Sequence, residues 1–278
     1  MYCKYYGLKD PPFNVTSDPD FFFSSKKHKE ALAHLIYGVG QRKGIIVLTG
    51  EIGTGKTTLC RFFLNQVGKN VKTAFILNPA LSEIQLLESI IKDFGIRPED
   101  KTKLGMIRGL NDFLLRESCA GNNLVLIIDE AQNLTPELLE QIRLLSNLET
   151  EKDKLLQVIL VGQPELNARL NLYDLRQLRQ RVMVRYHISP LDPEEIKKYV
   201  NYRLKVAGSG QSGRPQIEFD AAAFDLISQF SAGTPRLINM LCDRALLAGF
   251  VAETHQIGAE IITRCLEELD SYAVGKNI

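Results

Sequence analysis

The sequence lacks the features of an exported, metal-binding or membrane-spanning protein. Its five cysteines are scattered and never form a Cys-x-x-Cys pair, and its four histidines have no ligand spacing, so neither a disulfide framework nor a zinc site is indicated. The first residues contain no apolar signal-peptide region, and no apolar run approaches the roughly 18 residues that cross a bilayer. We therefore expect free thiols and a cytoplasmic location.

The sequence also lacks a large net charge of either sign. Its 34 lysines and arginines face 33 aspartates and glutamates, for a formal net charge of +1, which excludes binding of DNA or an anionic membrane through a global basic field. Any such contact must come from a local patch. Apolar residues are plentiful, at 45% of the 278 residues, which is enough for a real core in about two domains of ordinary size.

Short runs of branched apolar residues alternate with helical patterns up to about residue 190. Strands that alternate with helices predict an α/β domain, built on a parallel sheet with helices on both faces. Five strands are predicted, at 45–49, 73–77, 124–129, 156–161 and 183–188.

Several helix starts are marked by capping residues. Ser82 is followed three residues later by Gln85, the pattern of a capping box. Thr135 precedes Pro136, which favours the first turn of a helix. Asp192 caps another helix directly after the last predicted strand. Each of these positions predicts the start of a helix.

The pattern changes near residue 190. No strand is predicted beyond it, and a flexible stretch, GSGQSGRP, interrupts a run of helices. We therefore predict two domains: an α/β domain with an N-terminal segment at 1–190 and a small all-helical domain at 191–278. The helices predicted in the second domain span 193–206, 220–231, 235–250 and 258–270.

The strongest motif is GEIGTGKT at 50–57, which fits G-x-x-x-x-G-K-[ST] and stands between a predicted strand and a predicted helix. Backbone N–H groups can approach phosphate oxygens only where no Cβ intervenes, and the N-terminus of the following helix favours an anion. Lys56 would bring a positive charge to the β and γ phosphates, and the Thr57 hydroxyl would bind magnesium. The alternative is a plain Gly-rich turn before a helix. The predicted nucleotide-binding residues are Gly50, Glu51, Ile52, Gly53, Thr54, Gly55, Lys56, Thr57 and Thr58.

Two adjacent carboxylates, Asp129 and Glu130, follow the apolar run LVLII. Magnesium is usually held by one or two carboxylates together with phosphates, so we expect Asp129 to act on the ion opposite Thr57. Glu130 points beyond the strand, where a carboxylate can polarise a water for in-line attack on the γ phosphate. In isolation, two solvated acids at a strand end would be the simpler interpretation, but the upstream phosphate loop favours a catalytic pair.

GEIGTGKT and LVLIIDEAQNL resemble the Walker A and Walker B motifs of AAA+ ATPases. The resemblance implies a P-loop NTPase sheet with the strand order 5-1-4-3-2, followed by an all-helical lid. It also implies that the chain binds ATP with Mg²⁺ and hydrolyses it to ADP and phosphate, with Glu130 as the general base.

The same resemblance assigns roles to three further polar residues. Gln163 follows the fourth strand and matches the first sensor, which contacts the γ phosphate and the attacking water, although an ordinary strand-ending glutamine is the alternative. Arg236, in SAGTPRL, is similar to the second sensor, which links the lid to the nucleotide, unless this arginine is purely structural. Asn78 matches the residue that restrains the catalytic glutamate, and a loop cap is an equally good interpretation.

An arginine cluster in LRQLRQRVMVR precedes and enters the fifth strand. In AAA+ assemblies an arginine from this region reaches the neighbouring subunit's γ phosphate, so the resemblance implies a homo-oligomeric ring, typically a hexamer. Arg181 matches that position best, with Arg179 and Arg176 as the next choices. The alternative is a helix with a solvated basic face.

The stretch from YYGLKDPPF to GKTTL, with DEAQNL, GQPEL, LRQLRQRV and RYHISPL, is similar to the general secretion pathway protein A (ExeA-type) family. This resemblance implies an assembly factor of a type II secretion system that works with an inner-membrane partner to place the secretin in the peptidoglycan layer. Family members commonly continue into a transmembrane helix and a peptidoglycan-binding domain, so the chain would be either a cytoplasmic portion or a cytoplasmic member. Transposition-helper and initiator ATPases share these motifs, which makes a DNA-bound regulator the alternative.

Overall fold

The computed structural model describes residues 1–77, 79–98, 100–150, 153–208 and 217–274. Five of its strands are β1 Ile45–Gly50, β2 Val71–Ile76, β3 Asn123–Ile128, β4 Leu156–Gly162 and β5 Val182–Ile188. They form one parallel sheet in the order β2-β3-β4-β1-β5, which is the predicted order 5-1-4-3-2 read from the other edge. The predicted P-loop fold is therefore confirmed.

The three central strands carry the core of the sheet. Every residue of β1, β3 and β4 is buried, as expected for strands covered by helices on both faces. β2 and β5 lie at the edges and bury only part of their residues. Because all five strands are parallel, their carboxyl ends share one edge of the sheet, where Gly50, Ile128 and Gly162 lie.

The predicted helix starts lie where the capping residues indicated. The Ser82 hydroxyl accepts a hydrogen bond from the Gln85 N–H (3.3 Å), and Oε1 of Gln85 accepts one from the Ser82 N–H (2.9 Å). The Thr135 hydroxyl accepts from the Leu138 N–H at 3.4 Å. The α-helices of the described residues are α1 Tyr2–Tyr5, α2 Lys26–Gly40, α3 Lys56–Gln66, α4 Glu83–Asp93, α5 Lys103–Cys119, α6 Pro136–Leu145, α7 Glu165–Leu170, α8 Arg176–Arg181, α9 Pro193–Ala207, α10 Ala221–Ser231, α11 Pro235–Val251 and α12 Ala259–Val274.

The chain divides into two compact units. The α/β unit comprises Lys26–Ile52 and Lys56–Ser189, and the helical unit comprises Met1–Ser25, Gly53–Gly55 and Pro190–Ile278. The N-terminal residues differ from our expectation, because the sequence interpretation placed them with the α/β domain. The difference has a physical cause in a buried arginine of α9.

Arg203 holds the N-terminal segment within the helical unit. Its Nε donates to the carbonyl oxygen of Pro12 (2.5 Å), and one terminal nitrogen donates to that of Asn14 (3.0 Å). The guanidinium also lies over the ring of Phe21, 5.0 Å from its centroid. The aromatic rings of Tyr6 and Phe13 are fully buried in the same core. Hydrogen bonds and apolar burial together therefore account for the placement of this segment.

A short parallel ladder in the helical unit was not predicted. It joins β6 Glu218–Phe219 to β7 Gln256–Ile257, so the expectation that no strand follows residue 190 is wrong. Two residues are too few to show a strand periodicity, which explains the error. Within the described ranges, no helix combines the length and the apolar content needed to span a membrane.

Candidate active site

The loop between β1 and α3 has the backbone geometry expected of a phosphate loop. Gly53 and Gly55 have φ values of +80° and +90°, in the left-handed region that glycine adopts without strain. Lys56 begins α3, and its buried ammonium donates to the carbonyl oxygens of Gly50 (2.8 Å) and Glu51 (2.9 Å). Burial lowers the pKa of this ammonium, while the nearby Glu130 opposes the shift. The loop thus presents one partly dehydrated positive charge.

Thr57 and Asp129 meet at the carboxyl edge of the sheet. Asp129 directly follows β3, and its N–H donates to the carbonyl oxygen of Ile76 in the neighbouring strand (2.8 Å). The Thr57 hydroxyl donates to Oδ2 of Asp129 at 2.5 Å. Burial raises the pKa of Asp129, and the hydrogen bond from Thr57 works in the opposite direction. The pair offers two hard oxygen ligands at one point, which suits Mg²⁺.

The described residues contain no cluster of three or more His, Cys, Asp or Glu side chains with the arrangement of a metal site. A site built from Thr57 and Asp129 alone is incomplete as a protein cage. Such a site matches the coordination preference of Mg²⁺, which keeps several waters and takes further ligands from phosphates. The residues present therefore fit a magnesium ion that is bound together with a nucleotide.

Glu130 has an unusual backbone conformation, with φ 52° and ψ 35° in the left-handed region. Its N–H donates to Oδ1 of Asp129 at 2.9 Å, which ties the two carboxylates together. Its own carboxylate lies near the Lys56 ammonium and raises the pKa of that group. The structure therefore brings Glu130, Asp129 and Lys56 into one electrostatic cluster.

Gln163, the predicted first sensor, lies beside Glu130. It directly follows β4, and its Nε2 donates to Oε2 of Glu130 at 3.4 Å. A polar side chain at this strand end is therefore within reach of the carboxylate. Its role as a sensor of nucleotide remains a prediction.

The sequence interpretation missed Gln132, which makes the shorter of the two side-chain hydrogen bonds to the Glu130 carboxylate. Its Nε2 donates to Oε2 of Glu130 at 2.6 Å, and its Oε1 accepts from the Gln163 N–H at 3.0 Å. Gln132 is within the DEAQNL stretch, two residues after Glu130. The only sequence signal for a role of Gln132 was its short spacing from Glu130, because its second partner, Gln163, lies 31 residues away in the sequence.

The arginine cluster lies on α8 and β5. Arg181 ends α8 directly before β5 and is partly buried. The pKa of Glu140 in α6 is lowered, mainly by hydrogen bonds from Arg143 and to a smaller degree by Arg181. Arg179 is exposed, and Arg176 lies 4.3 Å from the centre of the Tyr173 ring. In the described part of the chain, no hydrogen bond joins this cluster to Glu130.

Arg236 is the second residue of α11, after Thr234 and Pro235. Its N–H donates to the carbonyl oxygen of Gly53, a member of the same unit, at 3.3 Å. A Cβ on Gly53 would lie 2.6 Å from the Cβ of Arg236, so glycine is required there for space as well as for φ. The Arg236 side chain is exposed, and its predicted sensor role is untested.

Asn78, the predicted restraint on the catalytic glutamate, lies outside the described residues.

Comparison with known proteins supports the resemblance drawn from the motifs. Residues 39–170 match a family model described as an AAA domain. The chain is 45% identical over 258 residues to general secretion pathway protein A of Aeromonas hydrophila, which covers 92% of this chain but only 46% of that relative. The chain thus spans about half the length of the curated relative that it matches.

Solved structures show the same fold at low sequence identity. The ORC2 protein of Aeropyrum pernix, in ADPNP-ADP complexes, has a TM-score of 0.69 at 17% identity, covering 94% of this chain and 72% of its own. Cdc6p from Pyrobaculum aerophilum has a TM-score of 0.67 at 19% identity, covering 90% and 70%. The Aeropyrum pernix ORC1 protein in complex with DNA has a TM-score of 0.63 at 17% identity, covering 91% and 68%. These likenesses support the fold alone.

Proposed function

We propose that this chain, whose residues 39–170 form an AAA domain and which resembles general secretion pathway protein A, is a magnesium-dependent ATPase. One observation carries the proposal: Lys56, the Thr57–Asp129 pair and Glu130 meet at the carboxyl edge of a parallel sheet. In α/β sheets this edge is where ligands bind. The reaction is ATP plus water giving ADP and phosphate.

The binding groups act mainly through charge. The N–H groups of the loop and the N-terminus of α3 attract the phosphates, and Lys56 adds a charge that is weakly screened because it is buried. Thr57 and Asp129 would hold magnesium together with the phosphates, and the ion would supply positive charge against the charge that develops on them. Glu130 accepts the proton of the attacking water, and Gln163 orients that water. The chain thus supplies binding, a base and an orienting amide.

Phosphate release by the full chain tests the proposal directly. With ATP and Mg²⁺ the wild type should turn over, and EDTA should stop turnover. Lys56→Ala should weaken ATP binding by about 10-fold to 100-fold, because it removes a charge-assisted hydrogen bond. Lys69→Ala, at an exposed lysine of the same unit, is the matched control. A wild type that binds ATP but releases no phosphate would overturn the proposal.

We also propose that the active form is a homo-oligomeric ring, with a hexamer as the typical form. Arg181 then reaches the neighbouring subunit's γ phosphate, with Arg179 and Arg176 as the next choices. The support is the position of Arg181 at the end of α8, directly before β5, where the resemblance places the trans-acting arginine. Turnover per subunit should rise with protein concentration, and Arg181→Ala should remove that rise. A flat concentration profile would count against the shared site.

The biological role that we propose is assembly of a type II secretion system. Residues 191–278 serve as the helical lid, and the chain works in the cytoplasm with an inner-membrane partner. The support is the 45% identity to a general secretion pathway protein over 92% of the chain. Deleting the gene should reduce the assembled secretin in the outer membrane, and Glu130→Gln should fail to restore it. Normal secretin assembly in the deletion strain would remove this role.

A DNA-bound regulator is the second candidate function. The observation that favours it is the exposure of Arg176, Arg179 and Arg185 along α8 and β5. The ORC1 relative, solved in complex with DNA, shares the fold. A fluorescence titration with duplex DNA at two salt concentrations decides between the roles. Steeply salt-dependent binding favours the regulator, and no binding at low salt excludes it.

A further inference from the structure

Gln132 connects the ends of two neighbouring strands. It lies in the 3₁₀ turn Ala131–Asn133 that follows β3, and its side chain is buried, with 8% exposure. One end of its amide donates to the Glu130 carboxylate (2.6 Å), and the other accepts from the N–H of Gln163, which follows β4 (3.0 Å). Both polar groups of one side chain are thus used within the cluster.

The direction of this amide is fixed by its partners. The main-chain N–H of Gln163 can only donate, so it requires the carbonyl oxygen of Gln132. The amide nitrogen of Gln132 must then face Glu130, whose ionised carboxylate only accepts. A reversed amide would oppose donor to donor and acceptor to acceptor. In this network Gln132 therefore presents its N–H to Glu130.

Gln132 also has little freedom to move. A Cβ built on Gly162, the last residue of β4, would lie 2.8 Å from Oε1 of Gln132 and 3.2 Å from its main-chain nitrogen. Both distances are shorter than ordinary van der Waals contact. The end of β4 therefore packs directly on Gln132, and it fixes the amide at the position from which Glu130 is held.

Glu130 has a strained backbone conformation that needs support from the surrounding structure. A non-glycine residue in the left-handed region is sparsely populated. Gln132 approaches the carboxylate at 2.6 Å and Gln163 at 3.4 Å, so Gln132 is the closer donor. In the described part of the chain both donors reach Oε2, and neither reaches Oε1. The carboxylate is thus held by one oxygen, and the other is left for a water.

We propose that Gln132 is a positioning residue, which holds Glu130 so that its second oxygen faces the attacking water. This inference rests on the proposed ATPase function and concerns the same site. Gln132 acts through Glu130, and among the described residues its side-chain hydrogen bonds go to Glu130 and Gln163. Its removal therefore lowers turnover without weakening nucleotide binding. A base displaced by about 1 Å loses roughly 100-fold in rate, which sets the scale of the effect.

Two substitutions in the full chain test whether Gln132 positions Glu130 or only stabilises the end of β4. Gln132→Ala removes both hydrogen bonds. Gln132→Glu keeps an acceptor for the Gln163 N–H, but it cannot donate to Glu130 and sets a like charge beside it. Turnover should be measured by phosphate release, and affinity by titration with a fluorescent N-methylanthraniloyl ATP. We expect kcat to fall about 10-fold to 100-fold in both variants, with the Kd for the analogue within about 2-fold of the wild type.

Gln157 provides a matched control. It is fully buried in β4, its Oε1 accepts from the Gly44 N–H (2.7 Å), and its Nε2 donates to the carbonyl oxygen of Lys154 (3.1 Å). Gln157→Ala therefore deletes the same kind of amide bridge away from the site. It should lower the urea midpoint, as Gln132→Ala does, and leave kcat of the folded protein unchanged.

Each outcome has a distinct meaning. If Gln132→Glu keeps wild-type kcat while Glu130→Gln loses it, the positioning role is wrong and the ATPase function stands. A higher kcat in either Gln132 variant would show that this residue restrains Glu130, and would also overturn the proposal. A wild type that binds ATP without hydrolysing it overturns both the function and this inference. Reduced kcat with unchanged Kd in both variants supports the proposal.

Discussion

The two units of the chain bury polar side chains in contrasting ways. In the α/β unit, Lys56, Asp129 and Gln132 are buried at one edge of the sheet, with exposures of 7%, 2% and 8%. In the helical unit, Arg203 and Asn239 are buried to a similar degree, with exposures of 6% and 5%. The amount of buried polarity therefore does not separate the two units. The difference is in the groups that burial brings together, because the α/β unit buries an ammonium and a carboxylate whose charged forms burial disfavours.

In the helical unit the buried groups are paired with fixed protein partners. Arg203 donates to two main-chain carbonyl oxygens and to the Tyr199 hydroxyl (2.9 Å), which in turn donates to Oδ1 of Asn239 (2.8 Å). Burial raises the pKa of Tyr199, while the adjacent Arg203 opposes the shift. This network is consistent with a structural role, in which the partners satisfy buried polar groups.

In the α/β unit burial instead disfavours the charged forms of the buried groups. It lowers the pKa of the Lys56 ammonium and raises the pKa of the Asp129 carboxylate. Both shifts are relieved when an anion and a cation bind between these groups, so the cluster is suited to a ligand. The comparison teaches that the pKa shifts of buried charges, rather than the degree of burial, distinguish a candidate site from a structural network.

The largest expected effect tests the α/β side of this comparison. Glu130→Gln keeps the shape of the side chain but removes the base, so kcat should fall about 1,000-fold with little change in ATP affinity. Phosphate release and nucleotide titration measure the two quantities. Glu88→Gln, at an exposed position of α4, is the control and should match the wild type. Turnover within about 10-fold of the wild type would exclude Glu130 as the base.

The next effect tests the helical side. Arg203→Met keeps much of the side-chain length but leaves the carbonyl oxygens of Pro12 and Asn14 without their donor. We expect the free energy of unfolding to fall by about 3 kcal/mol, measured by urea titration. Arg264→Met, at an exposed position of α12, should change it by less than about 0.5 kcal/mol. If the Arg203→Met variant kept wild-type stability but could not hydrolyse ATP, Arg203 would have a catalytic role and its assignment to a structural network would be wrong.

The smallest effect concerns Tyr6, whose hydroxyl donates to the carbonyl oxygens of Leu246 (3.2 Å) and Thr254 (3.1 Å). Burial raises the pKa of Tyr6 to about 12 from an ordinary value of 10.0. Its contribution to stability is therefore complete below pH 10 and is lost as the pH rises through 12. The loss is on the order of 2 kcal/mol.

Tyr6→Phe should remove this pH dependence. Urea unfolding at several pH values between about 9 and 12 should show the wild type losing stability more steeply than the variant. At neutral pH the variant should be less stable by about 1 kcal/mol, because the hydroxyl no longer reaches its two acceptors. Parallel stability profiles for the two proteins would contradict the role of Tyr6 burial.

Much of the α/β unit was predictable because its signals are local. Each central strand is one continuous apolar run, so β1, β3 and β4 lie within a residue or two of their predicted ranges. The strand order came from the resemblance of the motifs to a known fold. The meeting of Thr57 and Asp129 followed from parallel strands, whose carboxyl ends share an edge. Local pattern and fold topology were sufficient for these features.

The remaining features depend on contacts between distant segments. Gln132 gained its role from the neighbouring β4, since its carbonyl oxygen meets the N–H of Gln163. The N-terminal segment was misplaced because its main polar partner, Arg203, lies far along the chain and carries no pattern that identifies it as buried. β6 and β7 are too short for any periodic signal. Such pairings become visible only once the fold is known.

The hydrogen bond between Arg203 and Pro12 spans 191 residues of sequence, and this spacing has a consequence for synthesis of the protein on the ribosome. Tyr6 and Phe13 emerge early, but α9 and α11, which complete their core, emerge after the whole α/β unit. The helical unit therefore cannot finish folding until α11 has been synthesised, and such long-range closure is slow. The α/β unit, which is synthesised between the two parts of this core, can fold before Tyr6 and Phe13 are covered.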